Sequence, residues 1–323
     1  MDRLAYVFRR LLLAVPTFLG ITFLCFSLTR FLPGGPVEMR LLAMKGGAAG
    51  GEATAQAGGP SAGMVSAVSD EYRRELEAQF GFDKPFLVQY FDWLVTNRMG
   101  MRLTSYDHPE KTVWQLISSR IPVSLHFGIA SFLLTYLVCI PLGILKALRH
   151  RQAFDAVSSV IVFTSYAIPT FAIAMFLKTT FASADEGMWA PILCYVSGSF
   201  AMLTLLMKNS LLDQIAADYV RTVIAKGGTR TRAIWLHAFR NALIPVATGL
   251  GGIISIVFAG SIIVETIFEI PGMGRLSWDA LVARDYAVFL GLLSLTSVFL
   301  MAGHLISDCL YMIIDPRIDF SKK

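Results

Sequence analysis

The sequence predicts an all-α integral membrane protein with six transmembrane helices, and three observations carry that prediction. Of 323 residues, 55% are hydrophobic and only 16% charged, with a mean hydropathy of +0.59; a soluble domain carries roughly 25% charged residues. The apolar residues gather in runs of about twenty, the length a helix needs to cross a bilayer. Lysine and arginine concentrate in alternate connections between the runs, the asymmetry that sets membrane orientation. The net charge of +5 and pI near 9.0 fit cations retained on the cytoplasmic side and call for no nucleic acid partner. Cys25, Cys139, Cys194 and Cys309 all lie inside apolar runs without CxxC or CxxH spacing. They read as small core residues, neither zinc ligands nor a disulfide framework.

The first span covers about 11–30, behind Arg9 and Arg10. It is too long for a signal-peptide core, and "RFLPGGP" follows where a cleavage site would stand, so residues 1–31 read as a cytoplasmic N-terminus and an uncleaved helix. The segment 32–119 is polar and expected outside the cell. Its "GGAAGGEATAQAGGPSAG" stretch is of low complexity and expected to be flexible. Tyr72, Leu76 and Phe80 then recur helically after a possible cap at Ser69, and Leu87, Tyr90, Phe91 and Leu94 do so after Pro85. These two short helices would lie on the membrane or on a partner.

Five more spans are expected in a core at 120–314, at about 122–145, 157–181, 189–207, 244–266 and 288–313. The connection after the second span carries Lys146, Arg149 and Arg151. The one after the fourth carries Lys208, Arg221, Lys226, Arg230, Arg232 and Arg240, and the tail 315–323 carries Arg317, Lys322 and Lys323. The opposite face holds little beyond Arg275 and Arg284. Both termini are therefore expected in the cytoplasm.

Within the spans, Gly251, Ser255 and Ala259 form a small-residue stripe that suits close helix packing, inside the bundle or against a partner subunit. Pro16, Pro141, Pro169 and Pro191 each remove a backbone donor from an apolar run. Around one of them, Thr164, Ser165, Tyr166 and Pro169 combine hydroxyls with a helix break, compatible with a translocation path or a plain kink. Glu265 joins those four residues as a candidate for the translocation path, while His304 and Asp308, one turn apart in the last span, read as an interhelical ion pair or a proton relay. All three would be proton-site candidates in an ion-driven carrier. No phosphate loop, H-E-x-x-H or G-x-S-x-G motif is present, so ATP chemistry, if used, belongs to another chain.

The most informative segment is "DYVRTVIAKGGTRTRAIWLHAFRNALIP", Asp218 to Pro245. Ala216, Val220, Val223, Ile224 and Gly227 share a helical face, with Asp218, Arg221, Thr222 and Lys226 elsewhere. Gly227 and Gly228 end that helix, and Thr229 or Thr231 caps a second one running to Pro245. By spacing alone this is equally a helix resting on anionic lipid or a docking knob for a soluble protein.

This segment closely resembles the EAA loop, here 213–245, of permease subunits of binding-protein-dependent ABC importers in the oligopeptide and dipeptide group. Tyr219, Val220, Arg221, Thr222, Ala225, Lys226, Gly227, His237, Arg240, Asn241, Ala242, Leu243, Ile244 and Pro245 match the group's pattern. The likeness extends to "RRLLLAVPTFLGITF", "FGFDKPFLVQYFDWL", "ETIFEIPGMGRLSWDALVARDYAV" and "DPRIDF", covering nearly the whole chain. "PGGPVEM", the Gly/Ala-rich insert near 46–63 and "LTLLMKNSLLD" are similar to the YejB-type branch.

The resemblance implies a type I importer fold and a non-catalytic subunit of the bacterial inner membrane, binding no cofactor itself. It would work with a homologous second permease, two ATPase subunits (or one fused) that hold ATP and Mg²⁺, and an extracytoplasmic peptide-binding protein. The cargo implied is oligopeptides or peptide-like compounds such as microcin C. Asp218 to Gly227 would be the helix coupled to the ATPases. Two departures stand out: a short "ASADEGMWAP" between spans three and four, and Gly228 in place of a bulkier residue, expected to loosen the bend. The competing class is an ion-gradient-driven secondary transporter, for which no internal repeat is evident. A membrane anchor for an enzyme would leave the proline-broken spans unexplained.

Overall fold

The structure is a computed structural model that describes residues 3–31, 83–181, 188–249 and 257–314. Among them every regular element is a helix. Helix α1 (Arg3–Phe31) keeps Pro16 in its interior and leaves Leu11, Leu12, Leu24 and Leu28 exposed, as a lipid-facing span requires. The chain clusters into two compact units, residues 17–118 with 277–295, and residues 1–16 with 119–276 and 296–323.

In the smaller unit Phe26, Trp93 and Leu290 form a buried core. Pro85 cannot continue a helix backwards, and its extended ψ of 142° starts α2 (Phe86–Phe91), which runs into a π-turn at Asp92–Thr96. The helix expected after Pro85 is thus present. It turns Tyr90 onto Phe23 edge-to-face, ring centres 5.3 Å apart, with the Tyr90 hydroxyl 2.9 Å from Thr22 Oγ1. Leu87 and Phe91 stay exposed. Asp285, nearly inaccessible, accepts hydrogen bonds from Ser105 Oγ and from the backbone N–H of Tyr106, Asp107 and Val288, pinning the connection before the next helix. The expected helix with Tyr72, Leu76 and Phe80 lies outside the described residues.

The larger unit is built on long helices: α3 (Val113–Leu148), α6 (Trp189–Ala216) and α12 (Tyr286–Ile314), the first and last shared with the smaller unit. Between α3 and α6 the chain forms α4 (Ala153–Ala167) and α5 (Thr170–Phe181). These two are bent by 89°, so the span expected at 157–181 is broken at the proline that the sequence marks as a helix break. Pro169 forces the preceding residue out of the helical region, and Ile168 is extended (ψ 120°). Pro191 falls in the first turn of α6, where the missing donor costs nothing.

Beyond α6 come α7 (Asp218–Ala225) and a second helix built of α8 (Arg230–Arg232), a π-turn (Ala233–Ala238) and α9 (Phe239–Thr248). Then follow α10 (Ile262–Ile267) and α11 (Met273–Val282). The span expected at 244–266 is therefore not one continuous helix among the described residues. The helical residues from Val257 stop at Gly260, whose φ of +71° is left-handed, and α10 restarts under a Ser261 cap. Among the described residues four helices are long and apolar enough to cross a membrane, and the bent pair makes a fifth; a sixth span is not seen as such among them. Gly251 and Ser255 of the small-residue stripe lie outside the described residues.

A buried ion cluster ties α3, α4 and α6 together. Asp155 accepts from Lys208 Nζ at 2.7 and 2.9 Å and faces Lys146 Nζ at 3.3 Å. Lys146 is fully buried and also donates to Ser158 and Ser159 Oγ, both at 2.8 Å. Lys146 and Lys208 look like ordinary positive-inside cations in sequence, yet here they are structural.

Candidate functional site

The segment singled out in the sequence folds as a rooted knob. Val220 is buried in a core with Met207, Leu211, Ala233, Ala238, Ala242 and Val246, with Tyr219 and Val223 packed against it. Burying one such valine stabilises by about 1.5–3 kcal/mol. Polar contacts add register: Tyr219 Oη donates to Gln214 Oε1 at 2.8 Å and accepts from Asn241 Nδ2 at 3.3 Å. Ser210 Oγ donates to the Ala242 carbonyl at 2.8 Å. Tyr219 and Asn241, twenty-two residues apart, are thus brought together by the fold. Gln214 and Ser210 complete the arrangement and carry no motif signal of their own.

The turn after α7 decides what the knob presents. Gly227 N–H bonds the Ile224 carbonyl and Gly228 N–H bonds the Val223 carbonyl, each at 3.0 Å. This pairing closes a helix through a left-handed residue, here Gly227 at φ +88°. A β-carbon on Gly227 would meet nothing within 4 Å, whereas one on Gly228 would lie 2.8 Å from the Val223 carbonyl oxygen. The expectation that Gly228 loosens the bend is corrected: the absence of a side chain there lets the chain close tightly over Val223. Thr229 caps the next helix, its Oγ1 accepting from Arg232 N–H at 3.3 Å.

The other predicted residues divide by environment. Asp218, Arg221, Thr222, Ala225, Lys226, His237, Arg240 and Pro245 are exposed, and Arg221 lies 3.7 Å from Asp218 in a solvent-facing pair. Ile224 is 43% exposed at the tip, so the helical face read from sequence is only half buried: Val220 and Val223 face inward, Ala216 and Ile224 do not. Thr164, Tyr166 and Pro169 are exposed on α4 and the bend, with Ser165 half-buried. A cavity of about 290 Å³ instead lies among Ser131, Thr135, Tyr136, Tyr195, Ser199 and Met202, with neighbouring apolar residues.

Glu265 lines neither this cavity nor open solvent. Its side chain is fully buried, and Oε1 accepts from Ser124 Oγ and Tyr195 Oη, each at 3.0 Å. Oε2 accepts from Arg275 N–H at 2.9 Å. Ser124 Oγ in turn accepts from Met273 N–H at 2.7 Å. A β-carbon on Gly272 would sit 2.4 Å from the carboxylate, so the loop after α10 closes around it. The carboxylate organises this loop, and Tyr195 is the residue that reaches both it and the cavity. Asp308 pairs with Arg10 at 3.4 Å, while His304 is exposed. Among the described residues no group of acidic, cysteine and histidine side chains could hold a metal.

Long apolar helices and a broken span mark a multi-pass membrane protein. The chain belongs to the family of binding-protein-dependent transport system inner membrane components, whose profile matches residues 139–320. It is 34% identical to the peptidoglycan transport system permease protein YejB of Agrobacterium fabrum, over 99% of this chain and 99% of that one. It is also 34% identical to the inner membrane ABC transporter permease protein YejB of Escherichia coli O157:H7, over 98% of this chain and 99% of that one. With the oligopeptide transport system permease protein AppB of Bacillus subtilis it shares 31% identity over 98% of this chain and 99% of that one.

Proposed function

We propose that this chain is one of two membrane-spanning subunits of an ATP-driven importer that carries oligopeptides or peptide-like compounds across the bacterial inner membrane. Asp218 to Gly227 docks a cytoplasmic ATPase, which binds ATP and Mg²⁺; a peptide-binding protein delivers cargo on the other side. Both termini lie in the cytoplasm, 32–119 is extracytoplasmic, and 120–314 is the translocating core. The observation that carries this reading is the knob itself. Val220, Tyr219 and Asn241 hold α7 rigidly, while its glycine-closed tip exposes Ile224 and Ala225 and has free space around Gly227. A rigid, exposed, apolar-tipped element suits a protein groove. The family and the named functions of the relatives support the transport class over an ion-driven carrier.

Reconstitution tests it. Assembled with its second permease, ATPase and binding protein in liposomes, the chain is expected to support ATP-dependent peptide uptake that an uncoupler leaves intact. Uptake that collapses with the ion gradient and ignores ATP would overturn the proposal.

A further inference from the structure

A groove of about 490 Å³ opens at the Trp189 end of α6, lined by Phe127, Phe181, Trp189, Phe268, Lys178 and Glu269 among others. α6 has 28 residues and is about 42 Å long, so the groove lies a membrane thickness from α7. At its rim Glu269 ends α10 in the same way that Gly227 ends α7. Its N–H bonds the Thr266 carbonyl at 3.3 Å, and Ile270 N–H bonds the Glu265 carbonyl at 2.8 Å. The left-handed residue here has φ +57° and is a glutamate. A β-carbon is disfavoured at this position and glycine is not, so local backbone preference does not account for the residue.

Its ion pair does not account for it either. Glu269 is 72% exposed and Lys178 42% exposed, and such surface pairs contribute little. Lys178 Nζ donates to Glu269 Oε1 at 2.8 Å and to the Ile267 carbonyl at 2.6 Å. The lysine is therefore held at the end of α10 with or without the glutamate; its hydrogen bond and charge, with a smaller contribution from the charge of Arg275, lower the pKa of Glu269 and keep it ionised. Oε2 receives no hydrogen bond from the described residues. An ionised carboxylate with an open acceptor, beside four aromatic rings, suits an ammonium group attached to an apolar body.

We infer that this groove binds the amino-terminal residue of a peptide, its α-ammonium on Glu269 and its first side chain among Phe127, Phe181, Trp189 and Phe268. The inference rests on the peptide-import reading and names a contact within it. A lysine side chain offers the same ammonium chemistry, so the test separates the two sources.

The assembled importer, in lipid nanodiscs without binding protein, is photolysed with p-benzoylphenylalanyl-Ala-Ala, and cross-links are mapped by mass spectrometry. Labelling is expected in the segments around Trp189 and Phe268, about tenfold weaker with the N-acetylated probe. Glu269→Gly is expected to keep or raise the unfolding temperature, since glycine suits the turn, while labelling falls about tenfold; Glu269→Gln loses labelling similarly. Equal labelling of Glu269→Gly, or by the acetylated probe, overturns the inference. Competition by N-acetyl-Lys-Ala-Ala as strong as by Phe-Ala-Ala overturns the amino-terminal assignment. ATP-driven uptake of Phe-Ala-Ala is measured in parallel: uptake without groove labelling sinks the groove alone, and absence of uptake sinks the import reading.

Discussion

Replacing Gly227 by aspartate separates docking from folding because the two glycines of the turn differ so sharply. At Gly227 a β-carbon touches nothing within 4 Å, so the only internal cost is the left-handed backbone, about 1–2 kcal/mol and least for Asp or Asn. That is small against the about 5–15 kcal/mol that holds a typical domain together. A carboxylate forced unpaired into a protein groove costs about 3–5 kcal/mol, which weakens docking by more than a hundredfold. Gly227→Asp is therefore expected to reach the membrane at wild-type level, unfold within a few degrees of wild type, and lose peptide uptake together with binding-protein-stimulated ATP turnover. Ala225→Glu, on an exposed helical position, tests the same surface with no backbone cost and is expected to behave alike. Gly228→Ala must fail differently: its methyl would lie 2.8 Å from the Val223 oxygen, opening the turn and lowering local stability. Wild-type uptake and ATP stimulation in both Gly227→Asp and Ala225→Glu would refute the docking role and leave the segment a lipid-resting helix.

Other outcomes follow from the buried charges and the topology. Asp155→Asn leaves Lys146 and Lys208 without their carboxylate and is expected to destabilise by about 3–5 kcal/mol, read as a lowered unfolding temperature in detergent; an unchanged temperature would remove the cluster from the account of stability. Glu265→Ala removes the acceptor for Ser124, Tyr195 and the Arg275 amide and is expected to cut the amount of folded protein severely, whereas Glu265→Gln, keeping the volume, does less; a well-folded Glu265→Ala protein defective only in transport would return the residue to the substrate path. With the four native cysteines replaced, a thiol at His108, a half-exposed loop residue, should react with an impermeant reagent outside spheroplasts, and one at Thr229 should not. Reversed labelling overturns the orientation.

The class was legible in the string of residues alone. Membrane insertion depends on summed hydropathy over about twenty residues and on the cation asymmetry of loops, and both are local, additive quantities that can be read from a string. The helix after Pro85 and the turn at Gly227 were legible for the same reason, because proline and left-handed glycine act on their immediate neighbours. Other features depend on partners distant in the chain and emerge when the helices pack. Asp155 carries no motif, and Lys146 and Lys208 pass for topogenic cations until α3, α4 and α6 meet. Glu265 reads as an intramembrane acid open to function, until Ser124, Tyr195 and the loop to Arg275 close around it. Gly228 reads as slack, until Val223 lies beneath it. The continuous span expected at 244–266 fails where hydropathy is blind, since an apolar run scores alike whether or not Gly260 breaks its helix, whereas the break at Pro169 is legible in the string and its 89° angle is not. Hydrophobicity decides that a segment enters the bilayer; hydrogen-bond and steric constraints between segments decide its shape there.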